Sequence, residues 1–235
     1  MSSILTMTLE TDQLLRDYLD RLSDEVRRLK TVFELWVHIL DRRQDRVREL
    51  NIAPAFFSTT IESLLTNVII STCRLYDGYR SERNLIRFLN FAEQHLSLFS
   101  TGAFQVRRVL SPGAWQLEMH QPVTLDTITV HRNEIQAQES ILANLFTWRD
   151  EQYAHSDKRY FHSPSSLKQD APLQFGQIRA LIDLAGTIIN RYSSAFDGSV
   201  TDFVPINVFD VDKVLDVLFR YKESTVTKKG FAQQS

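Results

Sequence analysis

Hydrophobic positions recur along the chain in long helical stretches, and this pattern sets the expected fold. From residue 13 to residue 50, Leu15, Leu19, Leu22, Val26, Leu29, Phe33, Trp36 and Leu40 alternate spacings of four and three. That is the seam of one long helix. Val47 and Leu50 resume the series after Arg43 interrupts it. Asp24, Glu25, Arg27, Arg28 and Lys30 fill much of the other face, while Val32, Leu35 and Ile39 widen the apolar stripe. The width favours an antiparallel bundle helix over a coiled-coil dimer seam. His38 on this helix reads as a packing or surface histidine.

Asn51 to Pro54 breaks the pattern, and residues 55–77 predict a second, more buried helix with few charges, its apolar positions Phe56, Phe57, Ile61, Leu64, Leu65, Val68, Ile69, Cys73 and Tyr76 suited to the centre of a bundle. Gly78 stops it, with Arg74 and Asp77 as a helix-end ion pair. After Ser81 a third helix puts Leu85, Leu89, Ala92, Leu96 and Phe99 on one face. Gly102, Ser111-Pro112-Gly113 and Pro122 then mark residues 100–122 as an irregular insertion with a small hairpin. Arg107 and Arg108 there read as solvated loop charges.

Residues 124–154 predict a fourth helix, its stripe of Ile128, Ile135, Ile141, Leu142, Leu145 and Phe146 running into Arg149 and Tyr153. A polar stretch follows, and Asp170 and Pro172 mark the start of a fifth helix reaching about Phe196. Its inward positions are Ile178, Leu181, Ile182, Ala185, Ile188, Ile189 and Tyr192. Asn207 with Asp210 resembles a capping arrangement before a short sixth helix. That helix faces inward with Val211, Val214, Leu215, Leu218 and Phe219. The expected fold is all-α: a single bundle domain of about six helices over residues 1–222, with one irregular insertion at about 100–122. Residues 223–235 form a polar, frayed tail.

Composition narrows the function classes. The chain has 235 residues, 43% hydrophobic and 24% charged, with a formal net charge of −2. A dedicated nucleic-acid binder usually carries excess Lys and Arg, so any such role must rest on a local basic patch. The single cysteine, Cys73, excludes an internal disulfide and a Cys-based zinc site. It sits in an apolar helix and reads as buried and inert. No apolar run approaches the roughly 20 residues of a membrane span, and the N-terminus has no signal-peptide pattern. A cytoplasmic protein without membrane contact is expected. There is no metal-binding His pattern, no Gly-rich phosphate loop and no serine nucleophile elbow. No metal and no cofactor are expected.

The candidate chemistry lies at the end of the fourth helix, in Trp148 to Phe161, WRDEQYAHSDKRYF. Arginine holds phosphate oxygens in a fork, and histidine moves protons near neutral pH. Arg149 and His155 would lie about 120° apart on an ideal helix. Joint action therefore requires the helix to loosen before His155, or two chains to contribute. The plainer alternatives stay open: Arg149 pairs with Asp150, Glu151 or an acid on a neighbouring helix, and His155 caps the last turn.

The order Arg149, polar Asp150, a short spacer and His155 resembles the motif of the HEPN superfamily. The Ala-His-Ser-Asp-Lys exit, Arg-Leu-Tyr-Asp at 74–77 and the long first helix resemble its abortive-infection AbiU-like branch. The overall pattern is similar over about residues 11–220. The resemblance implies an HEPN-like helical bundle that forms a homodimer, with two motif copies facing one cleft. It implies metal-independent RNA cleavage through a 2′,3′-cyclic phosphate, in defence or toxin-like growth arrest. His155 would act as general acid/base, Arg149 would hold the phosphate, and Asp150 would orient one of them. Lys158 and Arg159 would contact the RNA backbone, and Tyr153 would stack on a base. An antitoxin or a nucleotidyltransferase-like protein is the implied partner. The rival readings are a non-catalytic HEPN module that binds a nucleotide, an RNA or a partner protein, and a purely structural helical dimer.

Overall fold

The computed structural model describes residues 2–78, 84–110, 120–154, 167 and 169–232. They are overwhelmingly helical, and no strand occurs among them. In chain order the α-helices are α1 (Ser2–Asp41), α2 (Val47–Leu50), α3 (Pro54–Tyr76), α4 (Leu85–Gln94), α5 (Thr101–Leu110), α6 (Leu125–Gln136), α7 (Glu139–Trp148), α8 (Phe175–Asp197) and α9 (Asp210–Ala232). A 3₁₀ turn (Leu96–Phe99) follows α4, and a π-helical turn (Arg149–Ala154) follows α7. The all-α architecture is the one the hydrophobic pattern predicts. No described helix is long and apolar enough to cross a membrane.

The chain divides into two compact units, Met1–Leu29 with Ile69–Phe203, and Lys30–Val68 with Val204–Ser235. In the first unit the expected seam is buried: Leu15, Leu19, Leu22, Val26 and Leu29 are at most 4% exposed. Each such side chain stabilises the fold by roughly 1.5–3 kcal/mol. Helix α8 is the other main apolar surface, and all seven of its expected inward residues are buried. Tyr192 is the aromatic hub. Its ring meets Phe88 edge-on at 4.9 Å and Phe99 at 5.5 Å, and its hydroxyl lies 3.2 Å from His131 Nδ1. Burial lowers the pKa of His131, which favours the neutral ring. Helix α8 begins at Phe175, where the Gln177 side chain accepts from the Gln174 N–H at 2.9 Å, rather than near Asp170. It ends where Gly198 takes the left-handed conformation at φ 81°.

Three expectations change in this unit. The segment expected to be an irregular insertion with a hairpin opens as helix α5. The Ser100 hydroxyl accepts from the Ala103 N–H and supplies the helix start, while Gly102 sits harmlessly in the first turn. Residues 111–119 lie outside the described residues. Arg107 on α5 is buried and bonded rather than solvated. The fourth helix is split, because Gln138 at φ −94°, ψ 7° leaves helical geometry between α6 and α7.

In the second unit Leu50, Phe57 and Leu215 form a small core, with Ala53 and Leu218 against it. Phe33, Trp36 and Ile39 are buried at the end of α1. The buried line thus turns to Ile39 instead of Leu40, and Val47 is exposed. Asp212 in the first turn of α9 accepts from Arg42 Nε at 2.9 Å and Nη2 at 3.1 Å, and His38 Nε2 lies 3.0 Å from it. Arg42 first, then His38, holds the Asp212 carboxyl below its usual range. Arg46 pairs with Asp216 at 2.7 Å. This charged latch takes the role that a longer apolar stripe was expected to fill: Val214 and Phe219 are exposed, and only Leu215 is fully buried. The expected cap at Asn207 is instead a left-handed residue, φ 60°, whose carbonyl accepts from the Asp210 N–H. Helix α9 runs 23 residues to Ala232, through most of the segment expected to fray.

Candidate functional site

The site is built on two helix ends in the first unit. Helix α3 stops at Tyr76, and Asp77 follows with its N–H bonded to the Cys73 carbonyl at 2.8 Å. A carboxylate there faces the negative end of the helix, which is unfavourable. Burial makes it more so, since the Asp77 side chain is only 10% exposed. A guanidinium from the π-helical turn after α7 resolves the conflict. Arg149 Nη1 donates to Asp77 Oδ2 at 2.6 Å.

Arg149 also turns its fork on its own neighbour. Nε donates to Asp150 Oδ1 at 2.8 Å, and Nη2 donates to Asp150 Oδ2 at 3.1 Å. The guanidinium is 15% exposed and lies 5.1 Å from the Phe146 ring centroid. The bonds to Asp150, then Asp77, raise its pKa above the ordinary value and keep it charged. Among the described residues the cluster is one arginine and two carboxylates. Beneath it, the Cys73 thiol donates to the Leu145 carbonyl at 3.5 Å. Burial pushes its pKa up to about 12, with Arg149 opposing and Asp150 and Asp77 adding to the rise. Cys73 is therefore an inert thiol at neutral pH.

The helix loosens at the arginine itself. Residues Arg149–Ala154 form a π-helical turn, a device often found where a side chain must be re-aimed. The end of α7 is fixed from the side, where the Trp148 indole donates to the Ala171 carbonyl at 2.7 Å and Asn144 donates to the Pro172 carbonyl at 2.9 Å. Glu151 Oε2, within the π turn, is buried and has no hydrogen-bond partner among the described residues.

The structure thus brings Arg149 and Asp150 together. Tyr153 lies in the π turn, and its side chain is outside the description. His155, Lys158 and Arg159 lie outside the described residues. Asp77 is the member that sequence reasoning missed. The pattern placed it opposite Arg74, whereas Arg74 bonds Glu25 at 3.3 Å and Asp77 takes Arg149. The only local signal was an aspartate between an apolar helix and Gly78, too apolar a setting for an unpaired acid. Among the described residues no group of three or more His, Cys, Asp or Glu is placed to hold a metal ion.

No significant match was found among curated proteins or solved structures. The family profile for AbiU2, an HEPN family, matches residues 12–217, which includes Asp77, Arg149, Asp150 and the 155 position. The match spans most of the chain, and the chain belongs to the AbiU2 family of HEPN domains.

Proposed function

We propose that this HEPN domain is a metal-independent endoribonuclease, acting in defence or toxin-like growth arrest. The observation that carries the reading is the Arg149 cluster. Arg149 is a largely buried, permanently charged fork, bonded among the described residues to carboxylates, at a π turn that leads into His155. Phosphate oxygens make the same bidentate, charge-assisted bonds as carboxylate oxygens, so an RNA phosphate can replace Asp150 on the fork. In the proposed step the RNA 2′-oxygen attacks the adjacent phosphorus and the bond to the 5′-oxygen breaks. His155 takes the 2′-hydroxyl proton or delivers one to the leaving 5′-oxygen. Arg149 stabilises the charge that develops on the phosphate, and Asp150 orients the machinery. The products are a 2′,3′-cyclic phosphate and a 5′-hydroxyl. Lys158 and Arg159 contact the RNA backbone, and Tyr153 stacks on a base. The working form is a cytosolic homodimer with two motifs on one cleft. The exposed Val214, Val217 and Phe219 of α9 supply apolar surface that a second copy can cover.

One observation favours a second reading. Arg149 already has two acidic partners among the described residues, which suits a non-catalytic module that binds a nucleotide, an RNA or a partner protein. Incubating purified wild type and His155→Ala with mixed RNA in EDTA, followed by end-group analysis, separates the two. Cutting that leaves cyclic phosphate ends and vanishes in His155→Ala supports the nuclease. A folded, dimeric wild type that cuts nothing supports the binding module.

A further inference from the structure

The two carboxylates on Arg149 stand on different ground. Asp77 sits on fixed backbone. Helix α3 is pinned at its last residue, where the Tyr76 hydroxyl donates to the Leu181 carbonyl of α8 at 2.6 Å. One turn earlier the Cys73 thiol donates to the Leu145 carbonyl of α7 at 3.5 Å. The Asp77 N–H closes that turn on the Cys73 carbonyl at 2.8 Å, and on its far side Arg87 Nε donates to the Gly78 carbonyl at 3.4 Å. Cys73, Tyr76 and Asp77 are all buried. Asp150 stands instead in the π turn, its side chain 31% exposed against 10% for Asp77.

The two acids also take different parts of the guanidinium. Asp77 Oδ2 accepts from Nη1 alone at 2.6 Å. Asp150 takes Nε and Nη2 at 2.8 and 3.1 Å. Two neighbouring N–H groups of this kind are what a phosphate engages with a pair of oxygens. The occupant of that edge is thus the more exposed acid, and the bond that remains after exchange is the buried one. Aim matters here, because a misplacement of about 1 Å at a reacting centre costs about 100-fold in rate. Stability alone does not call for an acid at position 77. The negative end of α3 disfavours it, and replacing a buried ion pair by apolar groups is often neutral for the fold.

We propose that Asp77 is a positioning residue for the RNA cleavage: it stays on Nη1 and aims the Nε–Nη2 edge of Arg149 at the phosphate, while Asp150 yields that edge. This rests on the nuclease reading of the same site. Steady-state cleavage in EDTA, per folded molecule, by wild type, Asp77→Asn, Arg149→Lys and the double variant tests it. Asn keeps the shape and an acceptor oxygen but not the charge. Asp77→Asn lowers kcat about tenfold and does not raise KM, since the phosphate then faces one acid fewer. Asp77→Glu keeps the charge, moves the anchor by one methylene and lowers kcat likewise, and it serves if Asp77→Asn does not fold. The losses do not multiply. Arg149→Lys and the double variant both fall about 100-fold, because without the fork Asp77 has nothing to aim.

A second readout needs no turnover: nitrogen relaxation NMR of the Arg149 Nε–H, identified by its absence in Arg149→Lys. The guanidinium is ordered in wild type and in Asp150→Asn, and it loosens in Asp77→Asn. A wild type that cuts nothing ends the nuclease reading, and the ordering then decides the anchor by itself. Unchanged kcat in Asp77→Asn, a double variant down about 1,000-fold, or a guanidinium that loosens in Asp150→Asn instead overturns the proposal.

Discussion

Arg107 and Arg149 are both largely buried in the first unit, their side chains 9% and 15% exposed, yet they are held in different ways. Arg107 spends its donors on mixed partners. Nε and Nη2 bond Asp12, Nη1 bonds the carbonyls of Leu98 and Phe196, and the guanidinium sits 3.9 Å from the Phe196 ring centroid. Its charge is matched by one carboxylate, and its Nη1 donates to carbonyls at the ends of the 3₁₀ turn and of α8. That is a clasp. Among the described residues, the Arg149 side chain bonds carboxylate oxygens, from Asp77 and Asp150. A clasp that ties one nitrogen to two neutral backbone carbonyls has only the Asp12 carboxylate to exchange. A fork on exchangeable anions has more to exchange, since a phosphate can substitute for a carboxylate oxygen by oxygen.

The largest effect expected from this contrast is structural. Arg107→Ala orphans Asp12 and two carbonyls and lowers the unfolding free energy by about 3 kcal/mol, measured by urea denaturation. A loss below about 1 kcal/mol would put Arg107 back among surface charges. Arg149→Lys, by contrast, keeps the charge but loses the planar fork. RNA cleavage by the folded protein is expected to drop about 100-fold, read from initial rates, while the denaturation midpoint moves little. Near wild-type rates would remove Arg149 from the chemistry. Asp77→Asn relieves the carboxylate at the negative end of α3 but weakens the bond to Arg149. The two effects oppose, so stability changes by about 1 kcal/mol or less, and an effect several times larger would make Asp77 the true keystone of the cluster.

The smallest effect is in pH dependence. Burial raises the Cys73 pKa in the folded chain to about 12, above its unfolded value. Its contribution to stability is therefore full below the unfolded thiol pKa and is lost as pH rises from there toward 12. Cys73→Ala flattens that alkaline decline in Tm. Identical Tm profiles for wild type and variant would show that the thiol is less buried than described.

Much of the fold was legible because burial follows one face. Ile178 to Tyr192 on α8, and Leu15 to Leu29 on α1, repeat at helical spacing and pack on that spacing. The misses have physical causes. Helix α5 starts on a serine cap that a nearby glycine and a later Ser-Pro-Gly disguised as loop. Val214 and Phe219 have the right spacing, but Arg42, Arg46 and His38 secure α9 through Asp212 and Asp216, and the helix needs only Leu215 deeply buried. The motif at 149–155 could be read locally. The Asp77–Arg149 bond could not, since it joins residues 72 positions apart and no spacing rule links two helix ends.

The most direct measurement is RNA cleavage in EDTA by wild type, Arg149→Lys and Arg107→Lys, each normalised to its folded fraction. Cyclic phosphate ends from wild type, a loss of about 100-fold in Arg149→Lys and unchanged turnover per folded Arg107→Lys molecule are the expected results. Equal losses in both variants, or no cutting by the folded wild type, would contradict a catalytic role for the Arg149 cluster.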